Sequence, residues 1–161
     1  MDPRDTLAIS SPSPCETEVT RAFNAPRSLV FAAFTAPALV SRWMLGPEGF
    51  TMPVCDIDLV PGGKFRYVWR KQNGFEMGVR GEFVEVVPPE RLVHTEIFDE
   101  DWTGGPTRVT TTFTEGGGVS TVTMTILYVS AAARDAAFAT GMATGMATSY
   151  EQLDALLATP G

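Results

Sequence analysis

The sequence contains very little cysteine or histidine. Its 161 residues include two cysteines, Cys15 and Cys55, and a single histidine, His94. A catalytic zinc site takes three protein ligands and a disulfide framework takes several cysteine pairs, so we expect neither, and we expect no cofactor. Few cysteines are typical of a reducing compartment, and we expect a cytoplasmic protein.

Basic residues and long apolar runs are also scarce. Lysine and arginine number 12 against 19 aspartates and glutamates, which gives a net charge of -7 and makes nucleic acids and anionic membranes poor partners. No stretch approaches the roughly 18 apolar residues that cross a bilayer, so we expect no membrane insertion. The first fourteen residues carry acids and prolines instead of a basic patch and an apolar run, and we predict no signal peptide.

What remains is the composition of one globular domain. The chain is 44% hydrophobic and 19% charged, and its length suits a single core. Residues 1–14 are rich in Ser, Pro and Asp, and we predict a disordered tail there. We predict a single domain over residues 15–159.

Strand and helix patterns give the fold class. Residues 26–35 and 36–44 predict two short helices directly after the first strand, since each has apolar residues at helical spacing and a proline near its start. After Ser130, Phe138, Met142, Met146 and Leu153 predict one long helix. Short Gly- and Pro-containing turns link the strands, so we predict an α+β fold in which a curved seven-stranded antiparallel sheet wraps around the C-terminal helix and leaves a cavity between them. The seven predicted strands are 16–23, 50–60, 64–70, 77–87, 91–98, 107–114 and 119–129.

Small residues recur along one edge of the predicted last helix. Ala137, Gly141, Gly145 and Ser149 are spaced by four, and each glycine inside a helix costs about 1 kcal/mol relative to alanine. Two interpretations are open: the edge allows the helix to cross the sheet closely, or it leaves space for a ligand.

Four stretches of the sequence carry a family resemblance: TRAFNAPRSLVFAAFTAPALVSRWMLGP, DIDLVPGGKFRYVWR, GEFVEVVPPERLVHTEIF and SYEQLDALLA. They resemble the domain family named after the activator of the heat-shock-protein ATPase, within the START-like superfamily of helix-grip folds, also called SRPBCC. The resemblance runs from about Glu16 to Ala158. It implies the helix-grip fold and an internal cavity, and it specifies no reaction, because this superfamily includes lipid carriers, cyclases, aromatases, hormone receptors and co-chaperone domains.

The sequence departs from the family pattern at two places. Trp43 is followed by Met44 where many relatives have a second tryptophan, and the last helix has Gly141-Met142 and Gly145-Met146 where many relatives have Gly-Trp. A flexible thioether replaces a rigid ring at both places, so ligand identity does not carry over from relatives.

Aromatic residues and methionines are the candidate cavity lining. Period-two alternation places Phe65, Tyr67 and Trp69 on one strand face, which suits either a wall for a flat apolar ligand or plain core packing. The candidate ligand-binding residues are Trp43, Phe65, Tyr67, Trp69, Met77, Phe83, His94, Met124, Tyr128, Met142, Gly145 and Met146.

His94 and Glu96 are the candidates for acid-base chemistry. They lie two apart on one strand face, where they could orient a ligand hydroxyl or act as a general base, or simply be two satisfied polar residues. Strand neighbours two apart are not expected to touch closely enough to form a dyad. The loop from Asp99 to Pro106 contains Trp102, a candidate cavity lid or partner anchor, although an opportunistically packed ring is the plainer interpretation.

Three functions follow from these observations and from the resemblance. The first is binding of a hydrophobic small molecule, aromatic or lipid-like, in the cavity. The second, implied by the family name, is stimulation of a chaperone ATPase; it is disfavoured because well-known co-chaperones of this type carry a separate N-terminal domain. The third is a cyclase or aromatase activity that would use His94 and Glu96. Relatives of this fold often pair, which leaves a homodimer open.

Overall fold

The computed structural model describes residues 7–100 and 104–158. Its strands form one antiparallel sheet, and its helices pack against a single face of that sheet. The strands are β1 Ala8–Ser10, β2 Glu16–Phe23, β3 Phe50–Ile57, β4 Lys64–Lys71, β5 Glu76–Val87, β6 Arg91–Phe98, β7 Thr107–Gly116 and β8 Val119–Leu127. The helices are α1 Arg27–Thr35, α2 Pro37–Trp43, α3 Ala131–Ala139 and α4 Met142–Leu157.

The sheet order is β1-β2-β8-β7-β6-β5-β4-β3. The strands from β3 to β8 therefore follow one another as hairpins, and β2 closes the sheet against β8. The α+β helix-grip prediction is confirmed: two short helices follow the first long strand, and the last helices lie across the open sheet. A bulge between Phe83 and Glu85 turns Val84 toward solvent on the outer face.

The strand count and the predicted tail need correction. The described sheet has eight strands instead of seven, because Ala8–Ser10 pairs with β2 through the register Ile9 to Val19. The prediction that residues 1–14 form a disordered tail is therefore wrong for this segment. Ile9 packs against the buried core. The short strand thus buries an apolar side chain and also pairs with β2, whose edge would otherwise be open.

The single long C-terminal helix is also a wrong prediction. The chain breaks at Thr140 and Gly141 into α3 and α4, because Gly141 adopts a left-handed conformation with φ 83° that a helix cannot contain. The side chain of Ser130 begins α3 by accepting a hydrogen bond from the backbone N–H of Ala133. The apolar stripe of the predicted helix is thus divided between two helices.

The main core lies between the sheet and helices α1, α2 and α4. Trp43, Phe23 and Tyr150 meet there, with the Phe23 and Tyr150 ring centroids 5.4 Å apart in an edge-to-face contact. This core occupies one end of the helix-covered face. Two smaller buried clusters, centred on Phe65 and on Ile126, lie elsewhere in the described residues, and the candidate site lies among the three clusters.

Candidate functional site

The inner face is the side of the sheet on which the helices lie, and register fixes which residues it carries. Tyr67 of β4 is paired with Cys55 of β3 and with Val79 of β5, so all three point to the same side. Phe65 and Phe83 on this face are buried, with ring centroids 5.5 Å apart, and form the centre of a second core cluster. Phe65 and Phe83 thus follow the core-packing interpretation.

Trp43 is part of the main core and lies away from the open part of the inner face. Its side chain is 1% exposed, and its Nε1 donates to the carbonyl oxygen of Ala33 at 2.8 Å, near the end of α1. Phe34 packs against it with ring centroids 4.9 Å apart. The assignment of Trp43 as a ligand-binding residue is corrected, because no surface of the indole remains for a ligand to contact.

Trp69 occupies a more open position than Trp43. Its Nε1 donates to the carbonyl oxygen of Met44 at 2.7 Å, which joins β4 to the segment that follows α2. The ring remains half-buried although it faces the helices, and Tyr67 beside it is half-buried as well. Surface on the inner face thus remains accessible along β4.

The methionines fall into two groups. Met124 of β8 and Met142 and Met146 of α4 pack at the edges of the buried clusters and are half-buried. The other group is Met77 alone. It lies at the start of β5 opposite Trp69 and is 38% exposed, which places it at the outer rim. The soft thioethers expected around a ligand therefore lie on β8 and α4, and Met77 lies at the end of an internal strand.

Gly145 faces the segment between α2 and β3. A Cβ added there would meet only Pro47 Cδ, at 3.9 Å, which is an ordinary van der Waals distance. The interpretation of a close helix-on-sheet crossing is therefore wrong at this glycine. Pro47 belongs to a loop, whereas a residue that lined the ligand site would face the inner side of the sheet.

His94 and Glu96 form a direct contact, contrary to expectation. His94 Nε2 lies 3.1 Å from Glu96 Oε2, and the side chains are 16% and 27% exposed. The rings of Phe65 and Phe83 approach the imidazole at centroid distances of 5.2 and 6.1 Å and fix its plane. The prediction that the two residues lie too far apart to pair is wrong, because both side chains lean toward each other along the strand.

The geometry of the pair limits its acid-base chemistry. Nδ1 of His94 is buried and has no hydrogen-bond partner among the described residues, while Nε2 faces Glu96. Nε2 is therefore engaged by Glu96, and Nδ1 is a buried polar atom that no described residue satisfies. The second carboxylate oxygen of Glu96 is the group of this pair that a ligand could reach.

Two tyrosines complete a polar group on the inner face. Burial, with charge repulsion from Cys55 and Glu96, raises the pKa of the Tyr67 hydroxyl. Burial and Glu96 likewise raise the pKa of Tyr128, against a smaller opposite effect of Arg134. Both phenols therefore stay protonated at neutral pH and can donate hydrogen bonds. We call Tyr67, His94, Glu96 and Tyr128 the inner polar cluster.

The inner polar cluster lies among three separate apolar clusters. The main core lies on one side, the cluster of Phe65, Val79 and Phe83 on another, and a third cluster contains Ile126, Tyr128 and Ala137 beneath α3. Half-buried side chains that face the helices, among them Trp69, Glu96 and Met142, border the region between them. This arrangement can hold a small apolar molecule against a polar contact point.

The outer face carries a shallow depression of about 250 Å³ around Gly81. It is open to solvent, and the residues around Gly81 that line it are Lys64, Phe65, Arg80, Glu82, Thr95, Glu96, Ile97 and Pro106. The described residues contain no group of three or more His, Cys, Asp or Glu side chains placed to hold a metal ion. None of the helices described in residues 7–100 and 104–158 is long and apolar enough to cross a membrane. Trp102, the candidate lid residue, lies outside the described residues.

Cys55 is a site residue that sequence reasoning did not identify. Its position opposite Tyr67 follows from strand register, and alternation along β3 is the signal that would have placed it on the inner face. Burial, with a smaller effect of Asp56, raises the pKa of its thiol to about 11.

The chain is similar to known proteins both in sequence and in structure. The sequence profile described as Activator of Hsp90 ATPase homolog 1-like protein matches residues 24–158. No curated protein matches the chain. A Rhodobacter sphaeroides protein is 36% identical in its crystal structure, and the match covers 96% of this chain and 99% of that one with a TM-score of 0.90.

Two further solved structures are similar. A Mycobacterium smegmatis protein is 26% identical, with 96% of this chain and 99% of that one covered and a TM-score of 0.82. The AHSA1 protein of Silicibacter pomeroyi is 24% identical, with 89% and 97% covered and a TM-score of 0.72, and supports the fold alone.

Proposed function

Because the chain belongs to the Activator of Hsp90 ATPase homolog 1-like family, whose START-like fold is generally a ligand-binding domain, we propose that it binds a hydrophobic small molecule on its inner face. The ligand lies between the sheet and the N-terminal half of α4. The observation that carries this proposal is that inner-face side chains around Trp69, Glu96 and Met142 stay partly accessible beneath the helices.

The chemistry of the lining supports an apolar ligand. Trp69 and Phe98 supply aromatic surface, and Met124 and Met142 supply flexible thioethers that adapt to ligand shape. Ligand pockets in proteins combine such apolar walls with a few placed polar groups, as the inner polar cluster does here. We therefore propose an aromatic or lipid-like ligand.

Binding of an uncharged apolar dye tests the proposal. Nile red fluorescence should rise on titration with the wild-type protein, and native mass spectrometry should detect ligand retained from the cells in which the protein was made. Met124→Trp fills the region from the sheet side, and Met142→Trp fills it from α4. We expect each to weaken dye binding by tenfold or more, about 1.4 kcal/mol.

Val84→Trp is the matched control, because Val84 points to solvent on the outer face and is 44% exposed. This variant should bind Nile red like the wild type, and near-ultraviolet circular dichroism should show that all three variants are folded. Equal dye affinity in folded Met124→Trp, Met142→Trp and Val84→Trp proteins would contradict the proposed site.

Stimulation of the Hsp90 ATPase is the alternative function, and only the family description favours it. An ATPase assay with purified Hsp90 separates the two functions, since the filling variants should not alter an effect exerted through the outer surface. Stimulation that persists in Met124→Trp, together with no dye binding by the wild type, would favour the alternative.

We propose a cytoplasmic location for the protein. Cys15 and Cys55 are both free thiols, and unpaired cysteines are typical of a reducing compartment. Fractionation of the native host with an antibody against the protein tests this location.

A further inference from the structure

Glu96 places a carboxylate on the inner face with a single side-chain partner among the described residues. Among the described residues, His94 is the only side chain that pairs with its carboxylate. The nearby Arg134 contacts Asp135 at 3.1 Å and lies over the Phe138 ring at 4.9 Å, so its contacts are within α3 and none is with Glu96. The Glu96 side chain is 27% exposed, so a ligand that covers it removes its hydration and has to offer a hydrogen-bond donor in return.

The phenol of Tyr67 also has unused hydrogen-bonding capacity. No described residue forms a hydrogen bond with its hydroxyl, although the side chain faces the helices. The Tyr128 hydroxyl donates to Met142 Sδ at 3.7 Å and also lies close to the Thr17 side chain. Within the described residues, the inner polar cluster thus presents an unpaired acceptor on Glu96 and an unpaired donor on Tyr67.

Strand register places these groups on the same part of the inner face. Gly81 of β5 is paired with Phe65 on one side and with Glu96 on the other, and Tyr67 follows two residues after Phe65. The Phe65 ring lies over Gly81, since a Cβ there would collide with that ring and with the carbonyl oxygen of Thr95. Charge repulsion from Glu96 acts on the Tyr67 phenol, consistent with their proximity.

We infer that the bound molecule is an apolar alcohol or phenol whose hydroxyl donates to Glu96 and accepts from Tyr67, and that carboxylate ligands such as fatty acids are excluded. This inference rests on the proposed function and adds the chemistry of the polar end. A hydroxyl both donates and accepts, which matches the two free groups. A ligand carboxylate would bring a second negative charge beside Glu96, and like charges at close range repel each other.

Three probes that share one ring system test the inference: naphthalene, 2-naphthol and 2-naphthoate, each competing with Nile red at neutral pH. With two added hydrogen bonds, 2-naphthol should compete at a roughly tenfold lower concentration than naphthalene. The anionic 2-naphthoate should compete at a higher concentration than naphthalene.

Variants of Glu96 assign the preference to its carboxylate. Glu96→Leu should bind naphthalene at least as well as the wild type and lose the preference for 2-naphthol. Glu96→Gln keeps an acceptor oxygen without the charge, so it should retain the 2-naphthol preference and bind 2-naphthoate more tightly. Tyr67→Phe should lower 2-naphthol affinity alone. Glu82→Leu is the matched control on the outer face, and all preferences should survive it.

The outcomes separate this inference from the proposed function. If the wild type binds neither Nile red nor naphthalene, the proposed function fails and the inference with it. If naphthalene binds and 2-naphthol binds no better, or 2-naphthoate binds best, the inference alone is overturned. Glu96→Gln covers the case in which Glu96→Leu does not fold.

Discussion

The guanidinium of Arg21 on β2 makes two parallel hydrogen bonds to the carboxylate of Asp154 on α4, both 2.6 Å long. The arginine side chain is 2% exposed and the aspartate side chain 17%. This bidentate pair ties the C-terminal half of α4 to the sheet, next to Phe23 and Tyr150. The N-terminal half of α4, beside the candidate site, has no equivalent ion pair in the described part of the chain.

Breaking the Arg21–Asp154 pair should destabilise the protein strongly. Asp154→Asn leaves the arginine charge buried without its partner, and we expect the free energy of unfolding to fall by about 3 to 5 kcal/mol. Urea denaturation measures the change. The double variant Arg21→Met with Asp154→Leu should regain much of the loss, and a double variant less stable than Asp154→Asn would contradict the assignment.

The two tryptophans of the inner side should respond differently to substitution. Trp43→Phe removes the hydrogen bond to Ala33 and core volume, so we expect a loss of about 1 to 3 kcal/mol in the free energy of unfolding and unchanged Nile red affinity of the folded protein. Trp69→Phe should weaken Nile red binding severalfold. The reverse pattern, with dye binding sensitive to Trp43 and insensitive to Trp69, would overturn the corrected assignment.

Substitution by alanine should change the free energy of unfolding in opposite directions at the two glycines near the start of α4. Gly145→Ala adds a methyl that meets only Pro47 and should raise the free energy of unfolding by about 0.5 to 1 kcal/mol. Gly141→Ala should lower it by about 1 to 2 kcal/mol, because φ 83° is unfavourable for any residue with a Cβ. Thermal denaturation compares the two, and a stabilising Gly141→Ala would argue against the break between α3 and α4.

Alkaline pH should weaken the contribution of Cys55 to stability. Burial, with a smaller effect of Asp56, raises its pKa from 9.0 to about 11 in the folded protein, so between these values the unfolded chain binds fewer protons. This contribution is fully present below about pH 9 and is lost as pH rises toward 11.

The difference in free energy of unfolding between wild type and Cys55→Ala, measured in urea across this range, should decrease as pH rises. Cys15→Ala serves as the control for a second free thiol. A wild-type and Cys55→Ala difference that stays constant from pH 8 to 11 would contradict the prediction.

Much of the fold followed from local pattern. Alternation in KFRYVWR predicted that Phe65, Tyr67 and Trp69 share a face, and hairpin turns predicted the meander, because strand periodicity and turn conformation depend on neighbouring residues. The break at Gly141 was not predicted, because the sequence alone does not distinguish a glycine inside a helix from a glycine that ends one.

The site was harder to predict than the fold. Whether Trp43 or Trp69 lies beside open space depends on which helices cover each ring, and the contact between His94 and Glu96 depends on how Phe65 and Phe83 hold the imidazole. These packing contacts join residues that are distant in sequence, and only the contact between His94 and Glu96 is local.

The order of strands and helices, the helix-grip family and the alternation of each strand are properties of the sequence alone, because they arise from local conformational preference and apolar periodicity. Tertiary structure alone decided that Trp43 is core, that α4 is fixed to the sheet by Arg21 and Asp154, and that Glu96 shares the inner face with the Tyr67 phenol. Those relationships join residues distant along the chain, and packing between separate elements sets them.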